Sequence, residues 1–374
     1  MVPPATPPFE LFSHPTNGLS LRTTCTLPSG TLLLSEPPLL HLPRVLTAPA
    51  ESSTALGRDV LRSVLQEIST EENWQFLRLS NCFKGEELDP LLGTFLTNAL
   101  TTSETHCGIF PLTAVRRPLI VTQLTLLLQR INHSCTPNTS YHFSANLLHL
   151  HTLGPLPTGT ELSISYLSPL LPLSTRLSLL QTHYRFTCSC TACLTPASEE
   201  RRARIAGLSE VLREWEKGEV RAGEVVREAG KVLGVGGVVD REGLVSEKGR
   251  LWRDASEVMA AHSSCVLCSF GEWRGADERR ITLTRECAKR AAEAFEIILG
   301  EKSEEAAKMR RVEKDPRKAG RWGTRGRGEL DGVVLVDPGK GEGKKKRKKK
   351  KTKKAKKEGE VASEEQNEAG AAGE

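Results

Sequence analysis

The sequence predicts an α+β fold, in which a mostly β domain with a helical insert precedes a helical domain and a charged tail. Short apolar runs broken by turn residues at 9–42 are typical of β-hairpins. Apolar residues at three- and four-residue steps over 56–79 predict amphipathic helices. Two later segments, 199–217 and 278–299, predict helices with charged faces. The α+β class is indicated because the strand-like and the helix-like segments occupy different stretches of the chain instead of alternating.

The β domain is predicted to resume after the helical insert. Two segments have strand-like sequence patterns: TSYHFSANLLHLHTL at 139–153 and TGTELSISYL at 158–167. The turn from Gly154-Pro155 to Gly159 separates them. After Cys193 the sequence changes to helices joined by Gly-rich links, which predicts a separate helical domain.

The net charge of +6 is concentrated in a C-terminal tail. Residues 344–357, KKKRKKKKTKKAKK, contain 12 of the 52 Lys and Arg, and residues 358–374 contain 6 of the 46 acidic residues. Because like charges repel and apolar side chains are missing, we expect 338–374 to be disordered. The basic run predicts a nuclear-localisation signal, or a non-specific contact with nucleic-acid phosphates or an acidic protein face. A purely solubilising tail is the alternative.

Membrane and secreted classes are not expected. No stretch approaches 18 uninterrupted apolar residues, and no basic segment followed by an apolar one stands at the N-terminus. We therefore expect an intracellular protein without a membrane partner. In a reducing compartment, the ten cysteines are expected to be free thiols and metal ligands rather than disulfides.

The strongest spacing signal is C-x-C-x-x-C in FTCSCTACL at 186–194. Three thiolates this close can hold a tetrahedral zinc ion only if a fourth ligand arrives from elsewhere. Cys135, inside RINHSCTPN at 130–138, is the best placed candidate. The alternative is that these are small buried thiols. The pair Cys265 and Cys268 lacks further ligands at sensible spacing, so a second zinc site is not expected.

Three motifs in order, RINHSCTPN, GTELSISYL and YRFTCSCTACL, resemble the second half of a SET domain with its post-SET zinc motif. The segment TNGLSLRTTCTLPSGTLLLSEPPLL at 16–40 resembles the N-terminal SET half. Among protein lysine methyltransferases, the sequence most resembles the SET and MYND-domain family. The MYND finger is missing, because residues 41–94 contain only Cys82 where that finger needs a cluster of cysteines.

This resemblance implies an architecture and a set of site residues. The architecture is a SET-domain β-fold with a helical insert and a post-SET zinc site, followed by an α-helical C-terminal domain and a disordered basic tail. One structural Zn²⁺ is implied at Cys135, Cys188, Cys190 and Cys193. S-adenosyl-L-methionine (SAM) is implied at Asn17, Asn98, Asn132, His133 and Phe186. The lysine channel is implied at Tyr166 and Tyr184.

The same resemblance sets the predicted domain boundaries. These are 9–42 for the N-terminal SET half, 43–93 for the helical insert, 94–194 for the C-terminal SET half with the zinc motif, 195–330 for the helical domain, and 331–374 for the basic and acidic tail.

One segment departs from the family pattern. The residues VRRPLIVTQLTLLLQ at 115–129 intervene between GIFPLTA and RINHSC, which the family joins almost directly. Their codons can contain donor, branch-point and acceptor signals, and fifteen codons keep the reading frame. We hypothesise that this segment is a retained intron, and the same origin has weaker support at 263–282.

The function implied is SAM-dependent protein-lysine N-methylation of a histone or another nuclear protein. A nuclear location is expected, with a cytoplasmic one left open. Methyl transfer to an amine is an in-line displacement, so a channel that orients and desolvates a neutral lysine suits it. The alternative is a non-catalytic SET-type module that binds a protein partner. A third reading, nucleic-acid binding as the main function, depends on the tail alone.

Overall fold

The computed structural model describes residues 7–15, 18–43, 51–67, 70–85, 88–101, 106–109, 128–217, 237–261 and 274–322, all within the unit Met1–Asp331. Several predictions fall outside these residues. They concern Asn17, all but the last two residues of the 115–129 segment, the pair Cys265 and Cys268, and the tail at 331–374.

The chain begins with short strands, as the turn-rich sequence predicts. Strands β1 (Phe9–His14) and β2 (Gly18–Thr23) form an antiparallel hairpin in which Phe9 pairs with Thr23 and His14 with Gly18. They are followed by β3 (Leu32–Glu36) and β4 (Leu40–Pro43).

Three helices follow in the region of the predicted insert: α1 (Glu51–Glu67), α2 (Thr70–Leu77) and α3 (Pro90–Asn98). Asp89 caps α3, because its carboxylate accepts hydrogen bonds from the backbone N–H groups of Leu91 and Leu92. The helices bury apolar side chains against β4 in one small core that includes Leu61, Phe76 and Phe95.

The remaining strands are β5 (Leu100–Thr101), β6 (His106–Ile109), β7 (Asn132–His133), β8 (Thr139–Ser144), β9 (Leu147–Thr152) and β10 (Ser163–Ile164). They form three sheets: β3-β9-β8 and β4-β6-β5, both antiparallel, and the parallel pair β7 and β10. The predicted strand at 158–167 is therefore regular only at Ser163–Ile164. The pair β7 and β10 brings the RINHSCTPN and GTELSISYL motifs side by side.

The two SET segments share one β core. The N–H of Leu162 donates to the carbonyl of Leu21 at 2.8 Å, and Leu27 and Leu156 exchange backbone hydrogen bonds at 2.8 Å. Leu21 and Leu162 are fully buried in the same apolar cluster as Leu148. Residues that lie 129 and 141 positions apart are thus held in one core, which positions the loops that carry the motifs.

The C-terminal part is helical: α4 (Leu173–Tyr184), α5 (Thr191–Leu194), α6 (Pro196–Lys217), α7 (Val245–Ala261), α8 (Arg274–Leu299) and α9 (Glu304–Lys314). Helices α7 and α8 pack closely at Gly249, where an added Cβ would lie 2.7 Å from the ring of Phe295. Trp252 is fully buried in the same core. The C-terminal end of α8 lies against the β-sheet, where Ile298 is a neighbour of His142 on β8.

The mixed helix and sheet content agrees with the predicted fold class. Among the helices that the structure describes, none has the length and apolar content needed to cross a membrane. The domain boundaries stay predictions.

Candidate active site and metal centre

All three tyrosines of the chain, Tyr141, Tyr166 and Tyr184, line one pocket. Tyr141 lies on β8, Tyr166 lies two residues beyond β10, and Tyr184 is the last residue of α4. The ring centroids of Tyr166 and Tyr184 are 4.8 Å apart. The rest of the wall is formed by residues 97–101, Gln129, Ile131 and Ile164. Three separate elements therefore deliver phenol groups to one place.

The phenols of this pocket are held in their neutral form. Burial, and then the neighbouring Tyr184, raise the pKa of Tyr166 well above its ordinary value. Burial likewise raises the pKa of Tyr141 to about 12. The hydroxyl of Tyr166 donates to the carbonyl of Ile131 at 2.8 Å, which fixes its direction. The oxygen keeps acceptor capacity, so this pocket can hydrogen-bond an amine without supplying a base.

An aromatic side chain from the cysteine segment extends the pocket. The Phe186 ring lies 6.0 Å from His133, 6.4 Å from Tyr166 and 6.5 Å from Tyr184, measured between centroids. Arg185, between Tyr184 and Phe186, ends α4 in the left-handed conformation with φ of 59°. This turn lets Tyr184 line the pocket while Phe186, two residues later, lies beside Tyr166.

A loop from the insert region packs against the C-terminal end of α4. Arg185 stacks its guanidinium on Phe83 at 5.4 Å, and the thiol of Cys82 donates to the carbonyl of His183 at 3.4 Å. Asn98 holds this loop, because its amide nitrogen donates to the carbonyls of Ser80 and Thr94, each at 2.7 Å. The side chain of Asn98 therefore holds the loop against α3 beside the pocket.

Asn132 is held by an acidic residue that the sequence analysis missed. Its amide nitrogen donates to Glu161 at 3.0 Å, and Glu161 also accepts from the Ser20 hydroxyl and lies 3.6 Å from His14. Glu161 belongs to the GTELSISYL motif, which was noted only for its strand pattern. It joins both SET segments around Asn132.

His133 has protein partners on both ring nitrogens. Nδ1 accepts from the backbone N–H of Tyr166 at 3.0 Å, and Nε2 lies 3.3 Å from the sulfur of Cys135. Burial, which is partly opposed by Cys190 and reinforced by Arg176, lowers the pKa of His133 to about 4. The ring is therefore neutral at physiological pH. Its side-chain nitrogens are engaged, so any hydrogen bond from His133 to a cofactor has to come from its main chain.

The four predicted metal ligands converge. The sulfur atoms of Cys135, Cys188, Cys190 and Cys193 all lie within 4.8 Å of one another, and those of Cys135 and Cys193 are 3.6 Å apart. Tetrahedral thiolate coordination at about 2.3 Å implies sulfur–sulfur distances of roughly 3.8 Å. The arrangement therefore fits one tetrahedral metal ion, and the donor set of four sulfurs suits zinc.

The thiols influence one another strongly. Hydrogen bonds from Cys135 and Cys188 push the pKa of Cys190 far below its ordinary value, and the same contacts push the pKa of Cys135 far above it. Thiolate character is therefore already favoured at one sulfur of the cluster. Such charge is what a metal ion requires of its ligands.

Two buried arginines lie behind this cluster, and the sequence analysis missed both. Burial opposes the charge of Arg176, but Cys135, Cys193 and Glu199 raise its pKa above the ordinary value. Arg202 donates to the carbonyl of Cys135 at 3.0 Å and to Glu242 at 3.1 Å. The cysteine cluster is therefore attached to helices α4 and α6 by cations. No local motif marks these arginines, because each lies in an ordinary helical pattern.

Comparison with known proteins supports the resemblance carried by the motifs. Residues 18–167 match the SET domain family. The histone-lysine N-methyltransferase set5 of Schizosaccharomyces pombe is 27% identical over 206 residues, which are 54% of this chain and 55% of that protein. The protein-lysine N-trimethyltransferase SMYD5 of Danio rerio is 43% identical over 77 residues, 19% of each chain. The predicted resemblance to SET-domain lysine methyltransferases is confirmed.

These matches are partial. The chain spans about half the length of the first of these relatives and less of the second. A crystal structure of the SET domain of LSMT bound to lysine and AdoHcy gives a TM-score of 0.32 at 12% identity, and covers 83% of this chain and 87% of that one. Similarity this low supports no further conclusion.

Proposed function

We propose that the protein is a SAM-dependent protein-lysine N-methyltransferase, in keeping with the match of residues 18–167 to the SET domain family. The observation that supports this most is the convergence of Tyr141, Tyr166 and Tyr184 on one pocket. A chain with three tyrosines has little reason to gather all of them at one cavity unless their hydroxyls act there.

In the proposed reaction the pocket receives the side chain of a substrate lysine. Its aromatic rings exclude water from the amine, which lowers the pKa of the amine towards the neutral, nucleophilic form. The Tyr166 hydroxyl, oriented by Ile131, accepts a hydrogen bond from the amine and aligns it. Neutral phenol oxygens also stabilise positive charge as it moves towards the amine.

SAM supplies an activated methyl group on a sulfonium when it is bound. The residues we assign to it are Asn17, Asn98, Asn132, His133 and Phe186. Support comes from the chemistry of the described members: Phe186 offers an aromatic face beside the pocket, and Asn132, held by Glu161, offers a fixed polar edge. Asn17 lies outside the described residues, so its assignment rests on the motif alone.

We assign one structural Zn²⁺ to Cys135, Cys188, Cys190 and Cys193, because the four sulfurs cluster within 4.8 Å of one another, as four ligands of one ion would. Bound there, zinc ties the segment after β7 to the segment between α4 and α6. Metal affinity would thus contribute to folding.

The substrate we propose is a histone or another nuclear protein, and we propose a nuclear location. Support comes from the basic run at 344–357 and from the histone-lysine activity named for the yeast relative. The proposed domain division is the one stated in the sequence analysis. Deletion of 338–374 tests whether the basic run also contacts nucleic acid. It should weaken such binding without changing methyl transfer to a short peptide.

The test is transfer of a labelled methyl group from SAM to a nuclear protein extract by the zinc-loaded chain. Removing the hydroxyl with Tyr166→Phe should reduce the rate about 100-fold or more, because an oriented polar contact to the reacting group is lost. Trp74→Phe is a matched control, since Trp74 is 60% exposed and outside the pocket. It should keep the full rate.

Thermal unfolding of both variants checks that the fold is intact. If the folded, zinc-loaded wild-type chain transfers no label to any protein, the proposal fails. The non-catalytic partner-binding module then becomes the better explanation.

A further inference from the structure

His133 lies between the two centres of the site. Its Nδ1 accepts from the backbone N–H of Tyr166 at 3.0 Å, and its Nε2 is 3.3 Å from the sulfur of Cys135. Cys135 is completely buried, and the ring of His133 lies 5.2 Å from that of Tyr166. One side chain thus bonds both the proposed metal cluster and the proposed lysine channel.

These partners assign the tautomer of the ring. A backbone N–H can only donate, so Nδ1 must be the unprotonated nitrogen. The proton is then on Nε2, and it points at the sulfur of Cys135. A thiolate accepts such a hydrogen bond more strongly than a neutral thiol does, because the acceptor carries charge.

The backbone of Tyr166 needs this contact because the strand pairing ends before it. The parallel pair of β7 and β10 contains only two matched positions, Asn132 with Ser163 and His133 with Ile164. Tyr166 lies beyond the last of them. The His133 side chain therefore takes the place of a further ladder bond and holds the tyrosine at its N–H.

We propose that His133 is a positioning residue that couples the metal-bound state of Cys135 to the placement of Tyr166. With a metal ion on the cluster, Cys135 is a thiolate and fixes the ring through Nε2–H. The ring in turn fixes the Tyr166 backbone, and the Tyr166 hydroxyl stays on the carbonyl of Ile131. This inference rests on the proposed function for its catalytic consequence, but not for the two hydrogen bonds.

Two substitutions at His133 each remove one of its two hydrogen bonds and keep the other. His133→Asn keeps an amide oxygen near the position of Nδ1 and removes the donor to sulfur. His133→Gln places an amide nitrogen near the position of Nε2 and removes the acceptor for Tyr166. His183→Gln, at an exposed histidine, is the control.

The hydrogen bond from His133 to the Cys135 sulfur is measured by replacing zinc with Co²⁺ and recording the thiolate-to-metal absorption bands. Loss of the N–H donor raises the energy of the sulfur electrons, so His133→Asn should shift the bands to longer wavelength. His133→Gln and His183→Gln should not. Loss of zinc to a competing chelator should also be about 10- to 100-fold more favourable in His133→Asn, as for other lost contacts to metal ligands.

The hydrogen bond from the Tyr166 backbone to His133 is measured by hydrogen exchange of the backbone amide of Tyr166. Exchange should become about tenfold faster in His133→Gln, as expected for loss of one hydrogen bond. Removal of zinc from the wild-type chain should have the same effect, whereas zinc-loaded His133→Asn should stay protected. If the chain is active, His133→Gln should lower kcat more than it changes KM for the substrate protein.

Unchanged cobalt bands in His133→Asn, or Tyr166 exchange that does not respond to zinc, would overturn the coupling. Neither readout needs methyl transfer. An inactive wild-type chain with the expected bands and exchange would therefore contradict the proposed function and leave the coupling intact. Where a variant fails to unfold cooperatively, zinc removal from the wild-type chain replaces it, with the Leu162 amide, which donates to Leu21, as reference. Faster exchange of Tyr166 with unchanged exchange of Leu162 supports the coupling, and equal acceleration of both amides contradicts it.

Discussion

At the scale of single residues, different interactions fix the tyrosines of the pocket. Tyr166 is fixed through both its hydroxyl and its backbone N–H, by Ile131 and His133. Tyr141 lies in the regular sheet, where its backbone pairs opposite Leu150. The sequence motifs predicted Tyr166 and Tyr184, but Tyr141 was seen only as part of a strand pattern. Nothing in strand periodicity says that one side of a strand faces a cavity rather than a core.

The phenol pKa values predict the pH dependence of methyl transfer. A raised pKa means that the neutral phenol persists to higher pH, and Tyr141 has a pKa of about 12 with Tyr166 higher still. The rate should therefore rise with pH as the substrate lysine loses its proton, and reach a plateau. It should not fall again below about pH 10 while the protein is folded.

This profile is measured as kcat between pH 6.5 and 10, with circular dichroism at each pH to confirm folding. A descending limb near pH 9 would show that a phenol ionises in this range, and that its neutral form is required. Tyr141→Phe, compared with the wild-type chain, then tells whether that phenol is Tyr141.

At the scale of elements, three histidines stack where the sheet meets a helix. His142 on β8 stacks with His149 and His151 on β9, with ring centroids 4.9 and 5.4 Å apart. Across from them, α8 offers the carbonyl of Ile298 and α9 offers Glu305. Within the described residues, the Nδ1 atoms of His142 and His151 are buried without a hydrogen-bond partner.

This stack predicts acid sensitivity. Burial, and then the neighbouring histidines, lower the pKa of His142 and of His151 to about 4 from an ordinary value of 6.5. The unfolded chain therefore binds more protons than the folded one between pH 6.5 and 4, and stability falls as the pH drops through that window. Each ring accounts for at most about 3 kcal/mol of this loss, and the two losses overlap because the rings are neighbours in one stack.

Replacing one ring should reduce the loss. His151→Asn should lower the difference in unfolding free energy between pH 7 and pH 4.5 by up to about 2 kcal/mol relative to the wild-type chain. Urea unfolding followed by tryptophan fluorescence measures it, with exposed His183→Asn as the control. Equal pH dependence in all three proteins would mean that the stack does not titrate in this range.

Elements were predicted to different degrees, for physical reasons. Helices α6 and α8 lie where the charged amphipathic pattern predicted them, because that pattern reports burial of one helix face directly. The strand at 158–167 is shorter than predicted, since Leu162 and Glu161 bond to β2 only through isolated bridges. Helix α3 runs across residue 93, where a domain boundary is predicted. Alternation in the sequence does not distinguish a continuous ladder from single bridges.

On the scale of the whole described chain, a buried ion pair joins the helical part to the metal segment. Arg202 and Glu242 have side chains 1% and 3% exposed, and Arg202 also bonds the carbonyls of Cys135 and Pro169. Ser198 and Arg201 bond the same carboxylate. The pairing depends on residues far apart in sequence, which explains why the motifs did not predict it.

Removing one partner of this pair should destabilise the whole fold. Glu242→Ala leaves the Arg202 charge buried and uncompensated, which costs about 3–5 kcal/mol. Glu10→Ala is the matched control, because Glu10 and Arg22 form an exposed pair with side chains 49% and 45% exposed. Such a surface pair is worth about 1 kcal/mol or less. Urea unfolding of both variants gives the two values, and a similar loss in both would contradict a coupling role for Arg202.

The segment at 115–129 gives a second test at this scale. Its residues join β6, which ends at Ile109, to β7, which begins at Asn132, and its last residue, Gln129, lines the tyrosine pocket. If the segment is a retained intron, the chain without it should fold, bind zinc and transfer methyl groups at least as fast as the intact chain. The expected reason is that β7 and the proposed zinc ligand Cys135 then follow β6 through a short connection.

The comparison uses both chains, zinc-loaded, in the labelled methyl assay and in thermal unfolding. Gln129→Ala in the intact chain is the control, because the deletion also removes this pocket residue. A shortened chain that unfolds at lower temperature and loses activity, while Gln129→Ala keeps it, would show that the segment is an integral part of the fold. Sequencing spliced transcripts gives the independent answer, since these codons in every message would exclude intron retention.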